Sequence, residues 1–451
     1  MKFLNFLIQG LTNHVELVFI VFSVVFIWFR INQKNKREVY AKKALKKAID
    51  TQANEPLTLH PEVDPSLCAG CAACTRVCPE GDILNMINHK AVLVSPTKCV
   101  GHGECERACP FSAIKLVFGT KTRGLDIPRL NSNYETNVPG LYIAGELGGM
   151  GLIRNAVKQG VLATQDAIQR LKPGGNFNYE VFIVGAGPAG LACSLACVAN
   201  KKTYMCIEQN SFGGTVYNFP RQKIVMTAPA QLPIVGEMKF QKNKVTKEQL
   251  LGFWQEVKQK AGIKIHEQTS FQGLEALDDG FKIKTNKGEF TAKKVILSMG
   301  VRGSPRRLGL PNEDLPKVTY NLIDPEQYQN SDVLVVGGGN AGVECAQYLA
   351  KESLKNRVTL AVRGQDFDRC NDENKRLIFE MAQKSLVQIS FQTSVSEIHA
   401  DRLVIKVKEE LKTIPNQYLF VFAGAEMPHK FLMSLGIQIE KKFGEGLAKP
   451  S

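Results

Sequence analysis

Residues 180–208 read EVFIVGAGPAGLACSLACVANKKTYMCIE. The stretch opens on a short apolar strand, Glu180–Val184, that runs straight into Gly185-Ala-Gly187-Pro188-Ala189-Gly190. A helical pattern follows, a second strand covers Tyr204–Ile207, and Glu208 closes the unit. Strand, G-x-G-x-x-G turn, helix, strand and an acid about twenty residues on form the context in which this motif binds a dinucleotide. Gly185 allows the tight turn, Gly187 the close approach of a pyrophosphate, and Gly190 the packing of helix on strand. Glu208 suits a pair of ribose hydroxyls.

A second copy lies downstream. Asp332–Val336 leads into Gly337-Gly-Gly339-Asn340-Ala341-Gly342, then a helical pattern, then the strand Val358–Val362. Here the strand ends in Arg363 rather than an acid. An Arg at this point favours a 2′-phosphate, hence NADP over NAD. The alternative is that Arg363 is a surface charge and the site is indifferent. Two such units in 451 residues leave room for a further small domain. Hydrophobic content of 44% with 22% charge is that of a folded chain. The net charge of +14 is partly local, because Arg30–Asp50 holds eight basic residues against Glu38 and Asp50. A nucleic-acid partner is therefore not expected.

Seven of the twelve cysteines fall between Cys68 and Cys109. A secreted disulfide framework would spread them, so a metal centre is expected instead. Cys68-Ala-Gly-Cys71-Ala-Ala-Cys74-Thr-Arg-Val-Cys78-Pro79 matches the bacterial ferredoxin run C-x2-C-x2-C-x3-C-P. Zinc motifs place two cysteine pairs apart rather than in such a run. A second run follows, with His102 at the second-cysteine position: Cys99-Val-Gly-His102-Gly-Glu-Cys105-Glu-Arg-Ala-Cys109-Pro110. The block from about Leu57 to Lys115 resembles a two-cluster [4Fe-4S] ferredoxin domain. That resemblance implies crossed ligation, with Cys68, Cys71, Cys74 and Cys109 on one cluster and Cys99, Cys105 and Cys78 on the other. His102 either ligates the fourth iron, leaves that corner empty in a [3Fe-4S] cluster, or faces solvent.

The two fingerprints, with the segment Lys294–Gly300 and the Val-Arg-Gly-Ser-Pro that follows, resemble the thioredoxin-reductase-like disulfide oxidoreductase superfamily over roughly 123–451. The resemblance implies FAD at the first site and NADP or NAD at the second. Its members that reduce disulfides carry a cysteine pair; here the matching stretch reads Gly213-Gly214-Thr215-Val216, and Cys345 and Cys370 stand apart. Cys193 and Cys197 are read as packing residues. Tyr217-Asn-Phe219-Pro resembles the family segment that shapes the flavin face. The family closes its FAD domain with a Thr-x-x-Pro-Gly-hydrophobic-Tyr-Ala-x-Gly-Asp strand. In this chain it stands upstream, as Thr136-Asn-Val-Pro139-Gly140-Leu-Tyr142-Ile-Ala144-Gly145-Glu146, then Leu-Gly-Gly-Met-Gly and a helix. The chain thus looks circularly permuted, with this strand next to Glu180–Val184 and Glu146 in reach of the flavin ribityl chain.

At the N-terminus, Leu17–Phe29 is thirteen residues with one Ser and no charge, followed by the basic stretch. A buried core helix and a signal peptide are the alternatives; the expectation is a single transmembrane anchor at the cell membrane with the main body cytoplasmic. The expected fold is α/β, with two Rossmann-like three-layer nucleotide-binding domains, preceded by a small α+β ferredoxin domain and an N-terminal transmembrane helix. The divisions are 1–32 membrane anchor, 33–56 basic stalk, 57–119 ferredoxin domain and 120–178 displaced FAD piece. The FAD domain then covers 179–325, and the NAD(P)H domain with a return segment covers 326–451. The expected function is a membrane-tethered oxidoreductase passing electrons between nicotinamide, flavin and clusters. Its partners are then the membrane and an unknown redox protein or small electron acceptor, with a homodimer left open. A flavin monooxygenase and a non-enzymatic electron-transfer subunit are the rivals.

Overall fold

Val181–Val184 is an apolar strand buried on both faces, at most 4% exposed, with Val181 and Ile183 in one core cluster and Phe182 and Val184 in another. The computed structural model describes residues 2–50, 55–56, 59–149, 151–226, 229–240, 244–301, 305–424 and 428–446, with residues 2–18 and 226 by their backbone alone. Leu57, Met150, Arg302–Ser304 and residues 51–54 of the expected stalk lie outside the described residues. By internal packing the chain divides into Met1–Pro56, Pro61–Cys99 and Gly103–Lys115 on one hand, and Leu57–His60, Val100–His102 and Leu116–Ser451 on the other.

In the smaller unit, Lys2–Asp50 is one continuous helix of 49 residues. The membrane-spanning expectation does not hold: among the described residues no helix is long and apolar enough to cross a membrane. The physical reason is length. At about 1.5 Å per residue the apolar run Leu17–Phe29 covers roughly 20 Å, against about 30 Å of hydrocarbon. Extending it brings in Asn13, His14 and Glu16. The transmembrane helix, the single-pass location at the cell membrane and the orientation argued from it fall together. The basic half of the helix is also not a bare stalk. Ala41 and Ala48 are buried, and Glu38 accepts the Asn88 N–H at 3.2 Å. Lys34 Nζ lies 3.1 Å from His89 Nδ1. Asn88 and His89 form the tip of the hairpin Leu84–Ile87 and Lys90–Leu93.

The larger unit holds two parallel-stranded layers. In the first, Tyr179–Val184 pairs in parallel with Tyr204–Ile207 on one side and with Gly288–Leu297 on the other. Phe271–Leu277 and Gly280–Thr285 extend this sheet as an antiparallel meander. Leu141–Ile143 joins it in parallel beside Val295–Leu297. The strand thus lies in the sheet of Val181–Val184, as expected, but Gly288–Leu297 separates the two. The helices Ile153–Gln169 and Pro188–Ala199 bury Ala163, Leu191, Ala192 and Leu195 against Tyr142 and Ile183.

The second layer runs Val318–Thr319, Tyr418–Val421, Asp332–Val336, Arg357–Val362 and Val387–Phe391, all parallel. The helices Asn340–Leu349 and Asp372–Gln383 flank it. After it the chain returns to the first layer. Leu432, Leu435 and Ile437 pack with Leu141 and Phe182, and Ile439–Lys442 pairs antiparallel with Leu125–Pro128. Glu445–Gly446 then pairs with Val117–Phe118.

Candidate functional site

The two cysteine loops repeat one backbone shape. Gly70 (φ 75°) and Ala72 (φ 59°) flank Cys71, and Gly101 (φ 77°) and Gly103 (φ 76°) flank His102. Each loop then enters a single helical turn, Ala73–Arg76 or Glu104–Arg107. The turn carries Cys74 in one loop and Cys105 in the other. A side chain cannot replace the first glycine of either loop. A Cβ on Gly70 would stand 2.4 Å from His89 O, and one on Gly101 would stand 2.7 Å from Leu59 O.

Cys68, Cys71, Cys74 and Cys109 line one pocket, together with Ala69, Ala72, Ala91 and Phe111. Three come from the first loop and Cys109 from the end of the second. Backbone N–H groups already point at two of the sulfurs: Ala91 donates to Cys68 Sγ at 3.5 Å and Ala113 to Cys109 Sγ at 3.3 Å. Burial pushes the Cys74 thiol up to about 11, with Cys68, Cys109 and Cys71 adding to the rise. Burial likewise pushes Cys105 up to about 12, with Cys99 and then Cys78 contributing. Crowded thiols of this kind ionise only if a cation offsets the charge. Among the described residues no three ligating side chains converge on a single-ion position. Four cysteines lining one pocket are the ligand set of an iron–sulfur cluster. His102 is half-buried, and its carbonyl accepts from Arg154 Nη2 at 3.3 Å.

At the first fingerprint Gly185 takes φ 103°, and Gly187 precedes the helix Pro188–Ala199. A Cβ on Gly190 would lie 1.9 Å from Gly185 O, whereas one on Gly187 would meet nothing within 4 Å. The turn is therefore tight at its base and open at its mouth, where the helix N-terminus offers N–H groups to an anion. Glu208 Oε2 accepts the Ala186 N–H at 2.8 Å and Oε1 the Asn210 N–H at 3.1 Å, so the acid is brought to the glycine turn. Gly145 donates to Gln159 Oε1 at 2.7 Å, and Gln159 Nε2 is buried with no partner among the described residues. A cofactor oxygen would satisfy it. The Glu146 carboxylate folds over Gly151, whose Cβ would lie 3.0 Å from Oε1.

The second fingerprint repeats the first. Gly337 takes φ 135°, a Cβ on Gly342 would lie 2.3 Å from Gly337 O, and one on Gly339 would meet nothing within 4 Å. Asn340 and Ala341 open the helix Asn340–Leu349. Arg363 is exposed at the end of the strand Arg357–Val362. Arg369 bridges to the backbone of Gly339. Burial lowers the Arg369 pKa, and the charges of Arg363, Arg123 and Arg306 lower it further.

Cys193, Cys197 and Cys206 are buried, with Cys193 and Cys206 pushed up to about 12 by burial. No disulfide joins any cysteines among the described residues. Sequence reasoning missed Gln159, Lys247 and Glu344. Lys247 Nζ donates to Phe219 O at 2.6 Å, and Glu344 pairs with Lys223. A polar residue at a buried helical position was the only signal for Gln159. The other two gave none.

Residues 182–446 match the family described as pyridine nucleotide-disulphide oxidoreductase, and residues 60–110 match a 4Fe-4S dicluster domain. Bacilliredoxin reductase Bdr of Bacillus subtilis is 28% identical over 270 residues, 59% of this chain and 82% of that protein. A ferredoxin–NADP reductase of Ignicoccus hospitalis is 28% identical over 268 residues, 58% of this chain and 83% of that protein. The solved bacillithiol disulfide reductase Bdr from Staphylococcus aureus aligns with a TM-score of 0.53 at 24% identity, over 58% of this chain and 81% of its own. That last likeness speaks for the fold alone.

Proposed function

The chain belongs to the pyridine nucleotide-disulphide oxidoreductase family and carries a 4Fe-4S dicluster domain, and on that premise we propose that it passes electrons between a nicotinamide nucleotide, an FAD and two iron–sulfur clusters held by its own residues. That it is an NAD(P)H-dependent flavoprotein oxidoreductase with an iron–sulfur domain follows from the family. Ligand assignments, cluster types and the internal route are our reading. The observation that carries it is the pocket lined by Cys68, Cys71, Cys74 and Cys109. No cysteine stands at Gly213–Val216 to take electrons as a disulfide would, and this pocket offers another acceptor in the same chain.

Gly185–Gly190 and the N-terminus of Pro188–Ala199 hold the pyrophosphate of FAD, and Glu208 the ribose. Gly337–Gly342 hold the nicotinamide nucleotide, with Arg363 at its 2′-phosphate, so that NADPH is preferred. FAD, when bound, accepts a hydride as two electrons and releases them singly, which matches one-electron clusters. Cys68, Cys71, Cys74 and Cys109 ligate one [4Fe-4S] cluster; Cys78, Cys99 and Cys105 hold the other, with His102 at its fourth corner. The repeated backbone around Cys71 and His102 supports that last assignment. The partner beyond the clusters is a redox protein or small electron acceptor.

We read the chain as circularly permuted. Leu141–Ile143 completes the flavin-side sheet beside Val295–Leu297 although it precedes the first fingerprint, and the family match begins only at residue 182.

Anaerobic titration with NADPH and with NADH, followed by optical and EPR spectra, tests the function. Flavin bleaching followed by reduced-cluster signals is expected. Bleaching with no cluster signal on any timescale would refute the internal route.

A further inference from the structure

Asn340 stands inside the second fingerprint, and its side chain is engaged. Its Oδ1 accepts the Asn371 N–H at 2.8 Å and the Asn374 amide at 3.4 Å. Asn374 is 9% exposed and donates from the same Nδ2 to Glu344 Oε1 at 2.9 Å. The other carboxylate oxygen of Glu344 receives Lys223 Nζ, from a position 121 residues earlier in the chain. Lys223 Nζ also lies 4.8 Å from the Phe219 ring centre. Its carbonyl accepts the Lys247 N–H at 2.8 Å. Lys247 Nζ in turn donates to Phe219 O at 2.6 Å and lies 5.6 Å from the Tyr217 ring centre. An unbroken run of polar contacts therefore joins the second fingerprint to the aromatic segment Tyr217–Phe219.

Burial sets this ion pair apart. The side chains of Lys223 and Glu344 are 17% and 20% exposed, whereas Lys244 and Glu373, paired at 3.1 Å, are 54% and 63% exposed. Exposed pairs contribute about 0–1 kcal/mol and wander between geometries. Lys223 and Glu344 are less exposed, so removing one partner leaves the other charge poorly hydrated, and the pair is the more constrained of the two. Hydride transfer needs reacting atoms within about 3–3.5 Å, and a displacement of about 1 Å costs on the order of a hundredfold in rate.

We propose that Glu344 is a positioning residue: through Lys223 it holds the nicotinamide-nucleotide fingerprint in register with Tyr217–Phe219, and so sets the approach of nicotinamide to flavin. This rests on the FAD and NADPH sites proposed above. Neither side chain is assigned a contact with nucleotide, so the pair acts on the rate of transfer and not on affinity.

The test is a double-mutant cycle on the full chain with Glu344→Gln, Lys223→Met and their combination, plus Lys223→Arg as the conservative variant. Three quantities are measured: the limiting rate of anaerobic flavin reduction by NADPH, the Kd for NADP+, and hydrogen exchange of segments 217–226 and 340–349 without nucleotide. Each single change should slow reduction about tenfold, about 1.4 kcal/mol, with Kd within about twofold. The double variant should be no slower than the worse single, and Lys223→Arg should recover most of the rate. Exchange should rise in both segments although only one is altered. Multiplicative rate losses, or exchange that rises only around the altered residue, would overturn the proposal. If neither NADPH nor NADH reduces the unaltered protein, the functional reading fails. The exchange cycle then decides the pair by itself, with reciprocal increases supporting it and local ones overturning it.

Discussion

Gly187 and Gly190 lie three residues apart in one turn, yet adding a methyl group to each should do opposite things. At Gly190 the new Cβ would be 1.9 Å from Gly185 O. Ser298 Oγ pins that oxygen by donating to it at 2.8 Å, so the backbone has little freedom to yield. Overpacking of this kind costs roughly 1–3 kcal/mol, and backbone neighbours put it at the upper end. Helix propensity returns about 1 kcal/mol for Gly→Ala. The net is about 2 kcal/mol, or a Tm lower by about 4–8 °C for a domain of this size. At Gly187 the backbone is at φ −76°, open to any residue, and the Cβ meets nothing within 4 Å. Gly187→Ala should leave the Tm of the FAD-free protein unchanged or slightly higher. The methyl group occupies the space into which a pyrophosphate would come, and a lost hydrogen bond to a charged group costs about 1.5–3 kcal/mol. FAD affinity should therefore fall at least about tenfold. Calorimetry of the stripped protein and FAD titration measure the two effects separately. If Gly187→Ala binds FAD as tightly as the unaltered chain, the pyrophosphate does not sit on this turn.

Three further outcomes are expected. Arg363→Asp should reverse a preference for NADPH over NADH in kcat/KM, by at least about tenfold in the ratio if a charge-assisted bond is lost; an unchanged ratio removes Arg363 from the site. His102→Cys should convert the second cluster to four-thiolate ligation and lower its potential; redox-titrated EPR identical before and after the change excludes His102 as a ligand. Cys109→Ser should abolish the cluster held by the first loop, and Cys78→Ser the one held by the second. Iron content with EPR reads this out, and loss of the cluster in the altered residue's own loop would contradict crossed ligation.

Both glycine fingerprints and both cysteine loops were legible in the sequence because each is local. Backbone geometry within six to twelve residues carries their chemistry, so residue type and spacing suffice. The segment Thr136–Glu146 was legible on the same terms as a strand of the first sheet, which Leu141–Ile143 joins. Its neighbour did not show. The sequence reading put Leu141–Ile143 against Glu180–Val184, whereas Val295–Leu297 lies between them, because strand order depends on crossovers that leave no mark in the strand. Hydropathy of Leu17–Phe29 suggested a span, and it failed on length. Composition alone did not reveal that Lys34 and Glu38 meet the hairpin tip at His89 and Asn88, since a charged helical stretch does not name its partner. Tertiary structure alone decided the return of Ile439–Lys442 to Leu125–Pro128 and the meeting of Lys223 with Glu344. Contacts between residues a hundred or more apart are selected by the energy of the whole packed chain, and no pattern within either segment records them.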